Sequence, residues 1–183
     1  MIVTICHLPK LAAPLMSVLL WLALPCEESV AQFGRLFGGP KVETIETREV
    51  HSLMVDHQKR RESARQQEQP EPQAEFIVVD VRSPREFKVS VIPGAITKTQ
   101  YEQNAAKYRG RLVIPYCTVG ARSGSYAKQL AKRGVNTKNY EASILGWVGE
   151  GLPLVTLDGR PTKRVHTYSD DYHVPNGYEQ VTE

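Results

Sequence analysis

Cys117 is followed by Thr118-Val119-Gly120-Ala121-Arg122-Ser123, and the order of these types matters more than any one of them. A cysteine acts as a nucleophile only as its thiolate, and a free thiol has a pKa of about 8.5. Gly120 lets the chain turn where a side chain would forbid it. The loop and the first turn of a following helix leave backbone N–H groups without partners. Those donors, the helix dipole and the nearby Arg122 all favour negative charge inside the turn. Such surroundings lower a thiol pKa by about one to several units. The expected chemistry is therefore nucleophilic attack by Cys117 at neutral pH, set against the plain alternative of a buried structural thiol.

That chemistry requires a strand to deliver the cysteine and a helix to receive the loop. Leu112 to Tyr116 is a short apolar run that reads as a buried strand ending at Cys117, although Pro115 within it removes a ladder donor. Ser123 to Arg133 reads as a helix with Tyr126, Ala127, Leu130 and Ala131 on one side, ended by Gly134. Phe76 to Val81 is a compact run rich in β-branched residues, the pattern of a strand buried on both faces. Ser83 and Pro84 predict a helical turn, with Ser83 as cap and Pro84 in the first position. Val91 to Ile96 reads as a short strand broken at Pro93-Gly94, Tyr101 to Tyr108 as a helix, Val135 to Tyr140 as a third strand, and Ile144 to Gly149 as a short helix. Upstream, Val42 and Ile45 open an extended start, with Thr47 as the expected cap of a helix whose polar continuation fails by Pro70. Strands alternating with helices predict an α/β domain with a central, mainly parallel sheet flanked by helices.

The 183 residues suffice for one domain with a real core plus tails. Apolar residues make up 41% and charged residues 23%, which excludes wholesale disorder and a multi-span membrane protein. A net charge of +3 is too small and too dispersed to argue for a nucleic-acid partner. Three cysteines, Cys6, Cys26 and Cys117, exclude a disulfide-dense scaffold. Lys10, the charge-free run Leu11 to Pro25 and the small residues Ser29 and Ala31 read as a signal peptide over residues 1–31, with an uncleaved anchor or an N-terminal core helix as alternatives. A spanning helix needs about 20 apolar residues, and Pro14 and Pro25 interrupt this one. On this reading the mature protein is exported, periplasmic or secreted, has no stable membrane span, and keeps Cys117 as its single thiol. Residues 32–41 form a linker, residues 42–158 the domain, and residues 159–183, which lack apolar periodicity, an extended or disordered tail. Within that tail His166, Tyr168, Asp170, Asp171, Tyr172 and His173 match no metal-ligand spacing.

Four pieces in order, Val78 to Phe87 (VVDVRSPREF), Val91 to Ile96 (VIPGAI), Tyr116 to Ser123 (YCTVGARS) and Gly146 to Val155 (GWVGEGLPLV), resemble the rhodanese-like family. The resemblance runs from about Val42 to Val155. It implies a rhodanese fold and a sulfurtransferase in which Cys117 carries a persulfide cradled by Thr118, Val119, Gly120, Ala121, Arg122 and Ser123, with no metal or organic cofactor. A small sulfur donor such as thiosulfate and a thiol or cyanide acceptor are the implied partners, a protein acceptor included. Arg122 would close the loop and meet the donor's sulfonate end, and Asp80 and Arg82, matching the family's Asp-x-Arg, would brace the loop. Val91 stands where the family often has His, and Thr118 and Val119 stand where many sulfurtransferases carry charged or polar residues. Two other functions share this loop logic. One is a non-enzymatic persulfide carrier or redox-sensing or binding module. The other is a cysteine phosphatase, whose members on this fold set one residue more between Cys and Arg than the four found here.

Overall fold

Alternation of side chains along two parallel strands divides the interior into two layers. β2 (Phe76–Asp80) pairs in parallel with β4 (Leu112–Tyr116) along its whole length and, on its other side, with β3 (Ile96–Thr97). Phe76, Val78, Ile114 and Tyr116 face one apolar cluster, and Val79 and Val113 face the other, as a twofold side-chain period demands. Both faces are covered, so both strands read as continuous apolar runs. The computed structural model describes residues 41–182. The leader expected over residues 1–31 and, apart from Lys41, the linker over 32–41 lie outside the described residues.

The sheet continues past β4. Val113 N–H donates to Asn136 O (2.9 Å) and Tyr140 N–H to Pro115 O (3.1 Å), which brings β5 (Lys138–Asn139) alongside. β5 in turn pairs in parallel with β1 (Glu43–Thr44). These bonds resolve Pro115. In a parallel strand alternate residues point their polar groups to opposite neighbours. Leu112 and Tyr116 bond toward the β2 side, through Glu75 O and Val81 N–H, whereas Val113 and Pro115 bond toward β5. The missing Pro115 donor therefore leaves the β2–β4 ladder intact.

On the first face lie α1 (Thr47–Gln66) and α5 (Ser143–Gly149), which contribute Val50, Ile144, Trp147 and Val148 to the larger cluster. On the second lie α3 (Lys98–Gln103) and α4 (Ala121–Lys132), which contribute Tyr101, Tyr126 and Leu130. The cap of α1 is Glu46, not Thr47: Glu46 N–H donates to Glu49 Oε2 (3.0 Å), while the Thr47 hydroxyl is engaged with Tyr140 Oη (2.9 Å). α2 (Pro84–Phe87) follows the expected Ser83 cap and Pro84 start. α3 begins earlier than expected because Thr97 caps it, with the Gln100 N–H donating to Thr97 Oγ1 (3.2 Å), and a 3-10 turn takes residues 105–108.

The largest departure is the C-terminal segment. Instead of an extended or disordered tail, β7 (Pro161–Thr162) pairs antiparallel with β6 (Leu154–Val155), and β8 (Arg164–His166) pairs parallel with β9 (Glu179–Val181). Val165 is fully buried in the larger cluster, and Tyr178 packs against it while donating from Oη to Leu152 O (2.6 Å). Two apolar anchors far apart in sequence leave no periodic trace, yet they tie this segment to the domain. None of the described helices is long and apolar enough to cross a membrane.

Candidate active site

β4 ends at Tyr116 and places Cys117 at its carboxyl tip, with α4 starting four residues later. Between them Gly120 adopts φ +91°, and a Cβ there would collide with the carbonyl oxygen of Glu141. Both conditions require glycine. The turn brings Gly120 N–H to 3.1 Å from Cys117 Sγ. Ser123 Oγ stands at 3.7 Å and Ser143 Oγ at 3.8 Å from the same sulfur. Each hydroxyl has one proton and a nearer acceptor: Gly120 O at 3.0 Å for Ser123 and Tyr140 O at 2.9 Å for Ser143. The amide is thus the committed donor, and the hydroxyls are a reserve that can turn to the sulfur when it ionises.

Cys117 is only 1% exposed. Burial by itself pushes its thiol up, but hydrogen bonds from the Ser123 amide and hydroxyl, the Val119 amide and the Ser143 hydroxyl outweigh it. The thiol is held below its ordinary value, so the loop favours the thiolate.

Arg122 shares its charge between Glu86 and the loop, where it lies close enough to Cys117 for the two to stabilise each other's charged forms. Its Nη1 donates to Glu86 Oε2 (2.7 Å), and its Nη2 to Glu86 Oε1 (2.6 Å) and Thr118 Oγ1 (2.9 Å). Glu86 is 1% exposed and also accepts from the Ser83 amide (2.9 Å), the Ser83 hydroxyl (2.7 Å) and the Thr118 hydroxyl (2.9 Å). Burial raises its carboxyl, yet Arg122 and the Ser83 donors bring it down to about 2. Arg122 thus joins a Glu86–Arg122–Thr118 clamp beside Cys117.

Asp80 and Arg82 meet with both side chains fully buried. Arg82 Nε donates to both Asp80 oxygens (3.0 and 3.1 Å) and Nη2 to Asp80 Oδ2 and Ser90 O, each at 2.6 Å. Tyr116 Oη donates to Asp80 Oδ2 (2.6 Å) and accepts from Ile92 N–H (3.2 Å). Since Tyr116 directly precedes Cys117, this pair braces the strand end and touches the sulfur only through the backbone.

The predicted residues thus divide. Cys117, Gly120 and Ser123 converge on the sulfur with the Val119 amide, Thr118 and Arg122 join the clamp, and Asp80 and Arg82 form the brace. The Val119 side chain is exposed, as is Ala121 at the start of α4. Glu86 and Ser143 were missed. Glu86 had a signal, its place three residues after the Ser83 cap; Ser143, at φ +54° and accepting from Cys117 N–H at 3.0 Å, had none.

Against known proteins, residues 60–150 match the family model described as Rhodanese-like domain. No curated protein matches the chain. Among solved structures, a Bacillus halodurans protein is 21% identical at a TM-score of 0.47, with 71% of this chain and 85% of that one covered. A Rhodopseudomonas palustris protein, described as of unknown function and possible tyrosine phosphatase, is 20% identical at 0.48, covering 62% and 85%. A rhodanese-related protein of Thermoplasma volcanium is 22% identical at 0.45, covering 62% and 97%.

Proposed function

This chain carries a rhodanese-like domain, a family of sulfurtransferase type, and on that premise we propose that it moves a sulfane sulfur through a persulfide on Cys117. The carrying observation is the Cys117 sulfur at a strand tip, 3.1 Å from the Gly120 amide and held toward its thiolate. The thiolate attacks the outer sulfur of a donor such as thiosulfate, the donor's S–S bond breaks, and sulfite leaves with the bonding pair. The persulfide anion then sits among the donors that served the thiolate: the Gly120, Val119 and Ser123 amides and the two serine hydroxyls. A thiol or cyanide acceptor takes the outer sulfur and regenerates Cys117. Preorganised amides stabilise the charge before and after each transfer without reorganising, and this is the main electrostatic contribution of the loop. The four residues between Cys117 and Arg122 form a tight cradle, suited to sulfur and cramped for a phosphoryl group. The leader reading adds that the work is done outside the cytoplasm, which the N-terminal residue of the processed protein checks, Gln32 being expected.

The test mixes the protein with thiosulfate and cyanide and follows thiocyanate. Turnover that disappears in Cys117→Ser supports the enzyme. A persulfide found by mass on the Cys117 peptide without turnover marks a carrier, and hydrolysis of an aryl phosphate without sulfur transfer overturns the reading.

A further inference from the structure

The family match ends at residue 150, yet a side chain beyond it reaches the clamp. The ring of Tyr168 lies over the Arg122 guanidinium, 5.3 Å from carbon to ring centroid. Tyr168 is 67% exposed but not loosely attached. Its backbone is left-handed at φ +70°, a conformation kept only where the surroundings impose it. They do so here: Tyr168 N–H donates to His166 Nδ1 (3.0 Å), Thr167 N–H to Val181 O (3.0 Å) and the Thr167 hydroxyl to Ser169 O (3.0 Å). His166 and Thr167 are buried.

Arg122 is the only charged residue from Thr118 to Ser123. Glu86 neutralises it, Thr118 occupies a further donor, and Tyr168 covers a face of the guanidinium. A doubly negative donor therefore meets amides and a guanidinium that reaches Cys117 but is already paired with Glu86 and part-covered by Tyr168. Meanwhile Val119 and Tyr168 are two of the three exposed large hydrophobic residues among the described ones, and both belong to this loop and its cover. An apolar rim beside a cation already paired and part-covered suits a ligand of lower charge and greater apolar surface.

Resting on the sulfurtransferase reading, we propose that Tyr168 is a specificity-determining residue that turns the Cys117 site toward singly charged organic sulfane-sulfur donors and away from dianionic thiosulfate. With an organic thiosulfonate the Cys117 thiolate bonds to the outer sulfur, the donor's S–S bond breaks, and the pair leaves on a sulfinate. Cys117 becomes a persulfide anion, charge is conserved, and no outside oxidant or reductant is needed.

The test uses the full chain, benzenethiosulfonate and thiosulfate, and reads persulfide formation by mass on the Cys117 peptide. Replacing the ring by Tyr168→Ala raises the thiosulfate-to-benzenethiosulfonate rate ratio about fivefold, in line with the loss of one cation–π contact and one apolar wall. Tyr168→Gly, which suits the left-handed backbone, does the same, and Tyr168→Phe leaves the ratio within about twofold because the ring remains. An independent readout is the rate of Cys117 alkylation by anionic iodoacetate relative to neutral iodoacetamide, which rises in the ring-free variants as Arg122 is uncovered. If Cys117 is modified but neither ratio moves, the role of Tyr168 is overturned and the sulfurtransferase reading stands. If neither donor nor alkylating reagent modifies Cys117, that reading falls and the selectivity with it.

Discussion

At the scale of single residues the site depends on a carboxylate that never touches the sulfur. Glu86 collects five hydrogen bonds, and its pKa of about 2 lies below the 4.5 of an ordinary glutamate. A depressed carboxyl stabilises the fold above its unfolded pKa and loses that effect as pH falls through the folded one. The difference corresponds to something on the order of 3 kcal/mol, lost between about pH 4.5 and pH 2. Glu86→Gln should remove a comparable amount at pH 7 and flatten the acid limb of stability, as urea denaturation across that range will show. Gly120→Ala should disable the loop, since the new Cβ meets the Glu141 carbonyl and φ is +91°; persulfide yield should drop at least about tenfold, with strain of about 1–3 kcal/mol visible in the melting curve. The loop around Cys117 was legible because its residues are consecutive. Ser143 was not, because its value comes from standing 26 positions away against the Cys117 amide.

Among elements, strands β2 and β4 were read to within a residue, since burial on both faces writes itself as an unbroken apolar run. The C-terminal strands β8 and β9 were not, because they are three residues long and only Val165 is fully buried. Val165→Ala tests whether that anchor holds the segment, with an expected loss of roughly 1–3 kcal/mol in chemical denaturation. His166 makes the same segment sensitive to acid. Its Nδ1 accepts from Tyr168 N–H, so protonation would set two donors against each other. Burial lowers its pKa below 6.5; Glu86 works in the opposite direction, while Arg85, Arg82 and Arg122 add to the lowering. A histidine kept neutral by folding costs stability once the unfolded chain begins to protonate. Stability should therefore fall as pH drops below about 6.5, and His166→Gln should lessen that fall, with His57, also lowered by burial, keeping part of it, as melting curves between pH 5 and pH 8 would reveal.

For the molecule as a whole, a sheet with two covered faces explains why the α/β class could be read from alternation alone, while lateral order could not. β5 is two residues long and joins the sheet through single bonds that no periodicity announces. The same architecture sinks the reactive sulfur deep, leaving Cys117 with 1% of its surface open. Delivery is then a question of reach. A folded partner holding its thiol flush with a flat wall would stop short of this atom, whereas a cysteine on the tip of a hairpin, or an anion as slender as hydrosulfide, would arrive. On the proposed function, whatever collects cargo here must be narrow.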